Sequence, residues 1–154
     1  MNESLRKEIR SGEVLAAIES ADGREVWRTS KSPVGTLLRA YLAHELDERE
    51  LKGGVLYANQ LGLALALFAK RAGVTQCVAA KLSDPGQQKL REEGVAVIFD
   101  RRIKLVRSSK NPEIVCPIEA ALVDAKEDVG RWEFLEVRFG SNERAAAESE
   151  ARIC

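Results

Sequence analysis

One histidine, three cysteines and a formal net charge of zero leave little from which the commoner functional sites are built. Zero net charge removes the bulk basic footprint of nucleic-acid binders, so only a local patch stays open to that partner. Cys77, Cys116 and Cys154 are an odd number at wide spacing. They form neither a disulfide framework nor a Cys-x-x-Cys metal knuckle. The N-terminal stretch MNESLRKEIRSGE carries charge throughout and has no apolar centre, so it does not read as a secretory signal. The longest apolar run, Leu61 to Ala69, falls far short of the roughly 20 residues that span a bilayer. These absences predict a cytoplasmic protein with no membrane partner and no strong nucleic-acid signal.

What is present is an ordinary globular balance. Apolar residues make up 45% and charged residues 31% of 154 residues, a length that suits one domain. Its pattern alternates. Residues 2–10 read as a short charged helix and Val14–Ser20 as a strand. Asp22-Gly23 supplies a tight turn, and Arg24–Thr29 forms the second arm of a hairpin. Ser32-Pro33 opens a helix whose Val34, Leu37, Leu38, Tyr41 and Leu42 repeat at helical spacing. Gly53–Tyr57 reads as a short strand, with Asn59-Gln60 capping a very apolar helix over Leu61–Arg71 that Gly73 closes. Strand Val74–Ala80, helix Gly86–Glu93 behind a Ser83-Asp84-Pro85 cap, and strand Val95–Phe99 follow. Asp100–Asn111 reads as a basic loop, with room for a strand at Ile103–Val106. Helices over Pro117–Lys126 and Glu127–Phe139 complete the domain. The prediction is an α/β domain over residues 1–140, with three layers and a central mixed sheet of about five strands, and a polar tail over 141–154.

Four segments carry a resemblance: "VLAAIESADGREVW", "GGVLYANQLGLALALFAKRAGV", "GQQKLREEGVAVIFD" and "RSSKNPEIVCPIEAAL". From about Gly12 to about Val123 the chain resembles an uncharacterised prokaryotic family catalogued as domain of unknown function 1893. The resemblance implies a cytidine deaminase-like fold and no established substrate. Zinc deaminases need a His or Cys with a nearby Glu at the start of the central helix, then Pro-Cys-x-x-Cys at the start of the next. Here those starts read Asn59-Gln60-Leu61-Gly62, with no His, Cys or Glu, and Ser83-Asp84-Pro85-Gly86, with no Cys, so the three-ligand set is missing. His44 with Glu45 has the wrong spacing and lies on an earlier helix. No metal and no cofactor is expected.

The candidate site gathers around "CPIE". Cys116 would stand at a helix N-terminus, where the dipole favours a thiolate, with Pro117 in the first turn and Glu119 beside it. Cys116 and Glu119 are the candidate catalytic residues, and the plainer alternative is a buried thiol before a capped helix. Asn59, Gln60 and Gly62 open the central helix at the carboxyl end of a strand, where open α/β sheets bind ligands. Arg102 and Arg107 belong to a basic run with Ser108 and Ser109 that suits phosphate. With Pro117 they complete a ligand-binding set for a small anionic or nucleotide-like molecule. Three readings follow: a ligand-binding or regulatory domain, a thiol-dependent or metal-assisted enzyme centred on Cys116, and an interaction module using Trp132, Phe134 and Phe139 toward a partner or a second copy. Whether the protein is an enzyme stays open at this point.

Overall fold

The computed structural model describes residues 1–140. Helix α1 (Glu3–Ser11) precedes the hairpin of β1 (Ala16–Glu19) and β2 (Glu25–Thr29). Helices α2 (Pro33–Leu42) and α3 (Glu48–Leu51) lead to β3 (Val55–Leu61). Two crossovers follow through α4 (Leu63–Ala72), β4 (Gln76–Ser83), α5 (Asp84–Glu92) and β5 (Ala96–Ile103), and the chain ends its described part with α6 (Pro117–Asp124) and α7 (Asp128–Phe139). The strands form one mixed sheet in the order β2-β1-β3-β4-β5. β1 is antiparallel to both β2 and β3, whereas β3, β4 and β5 are parallel. This is the α/β class with the five strands expected.

The tail over 141–154 lies outside the described residues. No described helix is long and apolar enough to cross a membrane.

The layers are unequal. One face of the sheet packs Ile18, Leu56, Ala58, Cys77 and Ala79 against α2, α4, α6 and α7 in the main core. Among the described residues the other face carries α1 alone, with Leu5 and Ile9 set on Ala17, Tyr57 and Val78. Helix α4 is buried along almost its whole length, from Leu63 to Ala69 and again at Ala72. That follows from an apolar composition on every side, which solvent exposure would penalise.

Element boundaries shift where pairing continues past the local signal. β3 runs on through Asn59 and Gln60 because its ladder with β4 continues, pairing Gln60 with Lys81 and Leu61 with Leu82. Asn59-Gln60 is therefore strand, and the N-cap of α4 is Gly62. β5 likewise runs past Phe99 through Asp100, Arg101 and Arg102 to Ile103, converting the first part of the expected loop into edge strand. The expected strand at Ile103–Val106 is replaced by a small hairpin loop, in which Arg107 bridges Val115 and the Cys116 N–H reaches the Val106 carbonyl at 2.8 Å. Helix α3, behind its Asp47 cap, adds an element the pattern did not suggest. His44 stands just past the end of α2 in left-handed backbone at φ 59°, exposed, and is not helical.

Because β1 is antiparallel to its two neighbours, β2 points the same way as β3. The carboxyl ends of β2, β3, β4 and β5 therefore share one edge of the sheet. Helices α2, α4 and α5 each begin at that edge, directly after their strands.

Candidate functional site

A cavity of about 200 Å³ opens at this carboxyl edge. Its polar lining comes from Asn59 and Gln60 at the end of β3, Lys81 near the end of β4, Glu119 of α6, and Ser108 and Ser109 of the hairpin loop. Leu15, Val34, Leu65 and Val106 supply apolar wall. The position is the one a mostly parallel sheet makes available, since its strands deliver side chains and helix starts to the same crevice.

Glu119 holds the crevice together. It is 2% exposed. Its Oε1 accepts the Leu63 N–H at 2.7 Å, and its Oε2 accepts the Val106 N–H at 2.9 Å. One carboxylate thus caps the start of α4 and pins the loop, satisfying two donors that would otherwise be buried without partners. Gly62 makes room for it: a Cβ there would lie 2.4 Å from Val106 Cγ2 and 2.6 Å from Glu119 Oε1. The absence of a side chain at Gly62 is thus a steric requirement of this carboxylate.

Gln60 makes a second tie. Its Nε2 donates to the Arg107 carbonyl at 3.0 Å, and its Oε1 accepts the Arg107 N–H at 2.8 Å. The amide imitates a strand neighbour and clamps the loop over the cavity. Asn59 points its Nδ2 to the Ile9 carbonyl at 2.8 Å, which ties α1 to the same edge. Lys81 is half-buried and makes no ion pair among the described residues.

The structure brings four of the eight anticipated residues to this cavity: Asn59, Gln60, Gly62 and Glu119. The other four lie elsewhere. Arg102 faces Asp84 at the start of α5 in an exposed ion pair. The Arg107 guanidinium donates to the Glu113 carbonyl across its own hairpin at 3.1 Å. Pro117 is exposed on the first turn of α6. Cys116 is 0% exposed, packed in the main core, and absent from the cavity lining. Contrary to the expectation of unpaired cysteines, Cys116 is disulfide-bonded, and Cys77 is the free thiol among the described residues. A nucleophile must be a free thiolate that meets its substrate, so the disulfide and the burial together remove Cys116 from the candidate chemistry. Glu119 has both oxygens committed to backbone donors, which gives it a positioning role.

The C-terminal aromatics also turn inward. Trp132 and Phe139 are buried and Phe134 packs against the core, with Arg71 stacked 4.4 Å from the Trp132 ring. Cys77, in mid-strand, is sealed and has its thiol pushed up to about 12 by burial. Among the described residues no three His, Cys, Asp or Glu side chains gather into a group able to hold a metal ion. The residues at the starts of α4 and α5, Gly62-Leu63 and Asp84-Pro85, do not offer a zinc donor set.

Lys81 is the site residue that sequence reading passed over. Its signal was a single cation near the carboxyl end of an otherwise apolar strand, in VAAKLS, where strand ends meet ligands.

The comparisons with known proteins agree with this architecture. A family model described as TM1506: Domain of unknown function (DUF1893) matches residues 4–139. The crystal structure of a DUF1893 family protein (TM1506) from Thermotoga maritima is similar with a TM-score of 0.71 at 20% sequence identity. The match covers 89% of this chain and 88% of that one, and at such identity it speaks to the fold alone. No curated protein matches the chain. On the match over residues 4–139, the chain belongs to the DUF1893 family.

Proposed function

We propose that this protein is a small-ligand-binding or regulatory domain whose binding site is the cavity at the carboxyl edge of β3 and β4. The observation that carries the reading is Lys81. A half-buried ammonium without an ion-pair partner among the described residues faces an otherwise largely apolar crevice. An anionic ligand would give this ammonium the partner it lacks among the described residues, in a crevice where a charge pair is less screened than in bulk water. The crevice is ready-made, because Glu119 and Gln60 fix its loop wall without a ligand.

The order of hairpin, helix and β-α-β-α-β supports a deaminase-like ancestry, with the catalytic metal set missing from the helix starts. Such a scaffold keeps the crevice and loses the chemistry. A thiol enzyme centred on Cys116 draws no support, since its sulfur is disulfide-bonded, buried and outside the lining of this cavity. An interaction surface built from Trp132 and Phe139 draws none either, since both rings are core.

Thermal-shift screening of the full chain against small anionic and neutral compounds tests the proposal. A true ligand raises the melting temperature of the native protein, and Ser109→Trp, which places a large ring at the exposed rim of the cavity, removes that rise. If no compound stabilises the protein, or if the Trp variant responds equally, the cavity is not a binding site.

A further inference from the structure

We propose that the ligand is a small organic monocarboxylate, its head group held by Lys81, the Ser108 hydroxyl and the open N–H groups at the start of α2. The inference rests on the cavity-binding reading above and narrows it to a chemical class.

Three separate features point to an anion at one place. The first is Lys81, already described. The second is Ser108, which is 2% exposed and lines the cavity. Its Oγ accepts the N–H groups of Lys110 at 3.2 Å and Asn111 at 3.4 Å. A serine hydroxyl has two lone pairs and one proton. Both lone pairs are occupied, and among the described residues the proton has no acceptor. A buried donor of this kind calls for an acceptor.

The third feature is the first turn of α2, a ten-residue helix whose Pro33 and Val34 line the cavity. Ser32 stands at the N-cap with its Oγ engaged elsewhere, 3.3 Å from the Ser109 Oγ, rather than on the helix start. Thr36 N–H already uses the Ser32 carbonyl at 3.1 Å. The N–H groups of Val34 and Gly35 have no acceptor among the described residues, and both residues are buried. A buried helix start with open donors is stabilised by an anion set on its axis. At α4 the Glu119 carboxylate meets the N–H of the first helical residue, Leu63, whereas the first residue of α2 is Pro33, which has no N–H to offer.

The class follows from charge and size. One ammonium balances one negative charge. A phosphate dianion would bring a second charge against the Glu119 carboxyl group on the same wall. Among the described residues no arginine fork lines the cavity, as phosphate recognition would favour. A space of about 200 Å³ lies below the ~300–1,000 Å³ common for drug-sized ligands, too small to enclose a nucleotide. Leu15, Val34, Leu65 and Val106 would cover a compact apolar body.

The test is an NMR titration of the isotope-labelled full chain with benzoate, its neutral counterpart benzamide, inorganic phosphate, and indole as an uncharged apolar probe. Benzoate is expected to shift the Val34, Gly35 and Ser108 amides. Lys81→Met is expected to weaken it about tenfold or more, and Ser108→Ala about threefold to tenfold, as loss of hydrogen bonds to a charged group implies. If Lys81→Met fails to fold by circular dichroism, Lys81→Gln replaces it with a polar side chain of shorter reach. Benzamide binding as tightly as benzoate, phosphate binding more tightly, or variants with unchanged benzoate affinity overturn the carboxylate assignment. Indole shifting cavity resonances while benzoate does not leaves the cavity reading standing and the carboxylate assignment lost. No response to any probe overturns both.

Discussion

The two faces of the sheet are held by different physics. On one, α2, α4, α6 and α7 enclose a dry core around Leu56, Phe68 and Cys77. On the other, α1 covers a small apolar patch and is pinned at its ends by polar groups. Tyr57 donates to Glu19 at 2.9 Å, Asn2 donates to the other oxygen of Glu19 at 3.0 Å, and the Asn2 N–H reaches the Tyr57 oxygen at 3.1 Å. Arg6 and Arg10 both reach Asp100 on β5. Burial of apolar area responds little to pH, whereas hydrogen bonds to ionisable groups respond directly. The crowded face should therefore set global stability, and the α1 face should set local opening and pH sensitivity.

The sharpest way to break this comparison is Phe68→Ala. Phe68 is fully buried and meets Tyr41 edge-on at 5.1 Å between ring centroids. Its truncation should cost about 3–5 kcal/mol in urea unfolding. A loss below about 1 kcal/mol would mean that the crowded face does not dominate.

Glu119→Ala tests a buried polar tie through that face. Removing the carboxylate strands the N–H groups of Leu63 and Val106, at about 1–3 kcal/mol for each buried donor. Glu119→Gln keeps one acceptor oxygen and should lose roughly half as much. Equal losses for the two variants would assign the effect to packing and remove the capping argument.

Tyr57→Phe addresses the sparse face and should cost about 1 kcal/mol, read as faster amide exchange confined to α1. Burial, and the hydrogen bond to Glu19, push the Tyr57 hydroxyl up to about 12. A raised pKa means that the folded state favours the protonated phenol. Its contribution is complete below the ordinary value of about 10 and fades as pH rises toward about 12. The native protein should lose α1 protection in that window, and the Phe variant should lack the transition. A transition unchanged in Tyr57→Phe would place its source elsewhere.

Asp100→Asn is the smallest effect. The exposed pairs to Arg6 and Arg10 are worth about 0–1 kcal/mol each and weaken with salt. Arg10, then Arg6, hold the Asp100 carboxyl below its usual range. That contribution is complete above about pH 4 and lost as pH falls through the lowered value. Acid should loosen α1 before the core, and Asp100→Asn should abolish this early step without moving the main transition. If the main transition moves instead, the two faces are more tightly coupled than their contacts suggest.

Much of the fold was legible because its signals are local. The Asp22-Gly23 turn, the Ser83 cap accepting the Gly86 N–H at 3.1 Å, and the Gly73 helix end each depend on neighbouring residues. Asn59-Gln60 misled because polar residues before an apolar helix look like a cap. Their strand identity comes from a partner about twenty residues away, through the pairing of Gln60 with Lys81. Cys116 misled for a related reason. Pro117 and Glu119 do mark a helix start, yet a helix dipole activates only a free thiol that a substrate can reach, and neither the disulfide bond nor the burial of Cys116 is a local property.

By itself the sequence determined the alternation of strands and helices, the buried central helix, and the carry-over of family resemblance, because spacing and turn chemistry act within a few residues. Only the tertiary structure decided that Glu119 would serve the start of α4, that Gln60 would clamp Arg107, and that Lys81, Ser108 and Val34 would share a crevice. Those meetings depend on strand order and direction. Placing β2, β3 and β4 in the same sense brings their carboxyl ends to one edge, and residues far apart along the chain meet there.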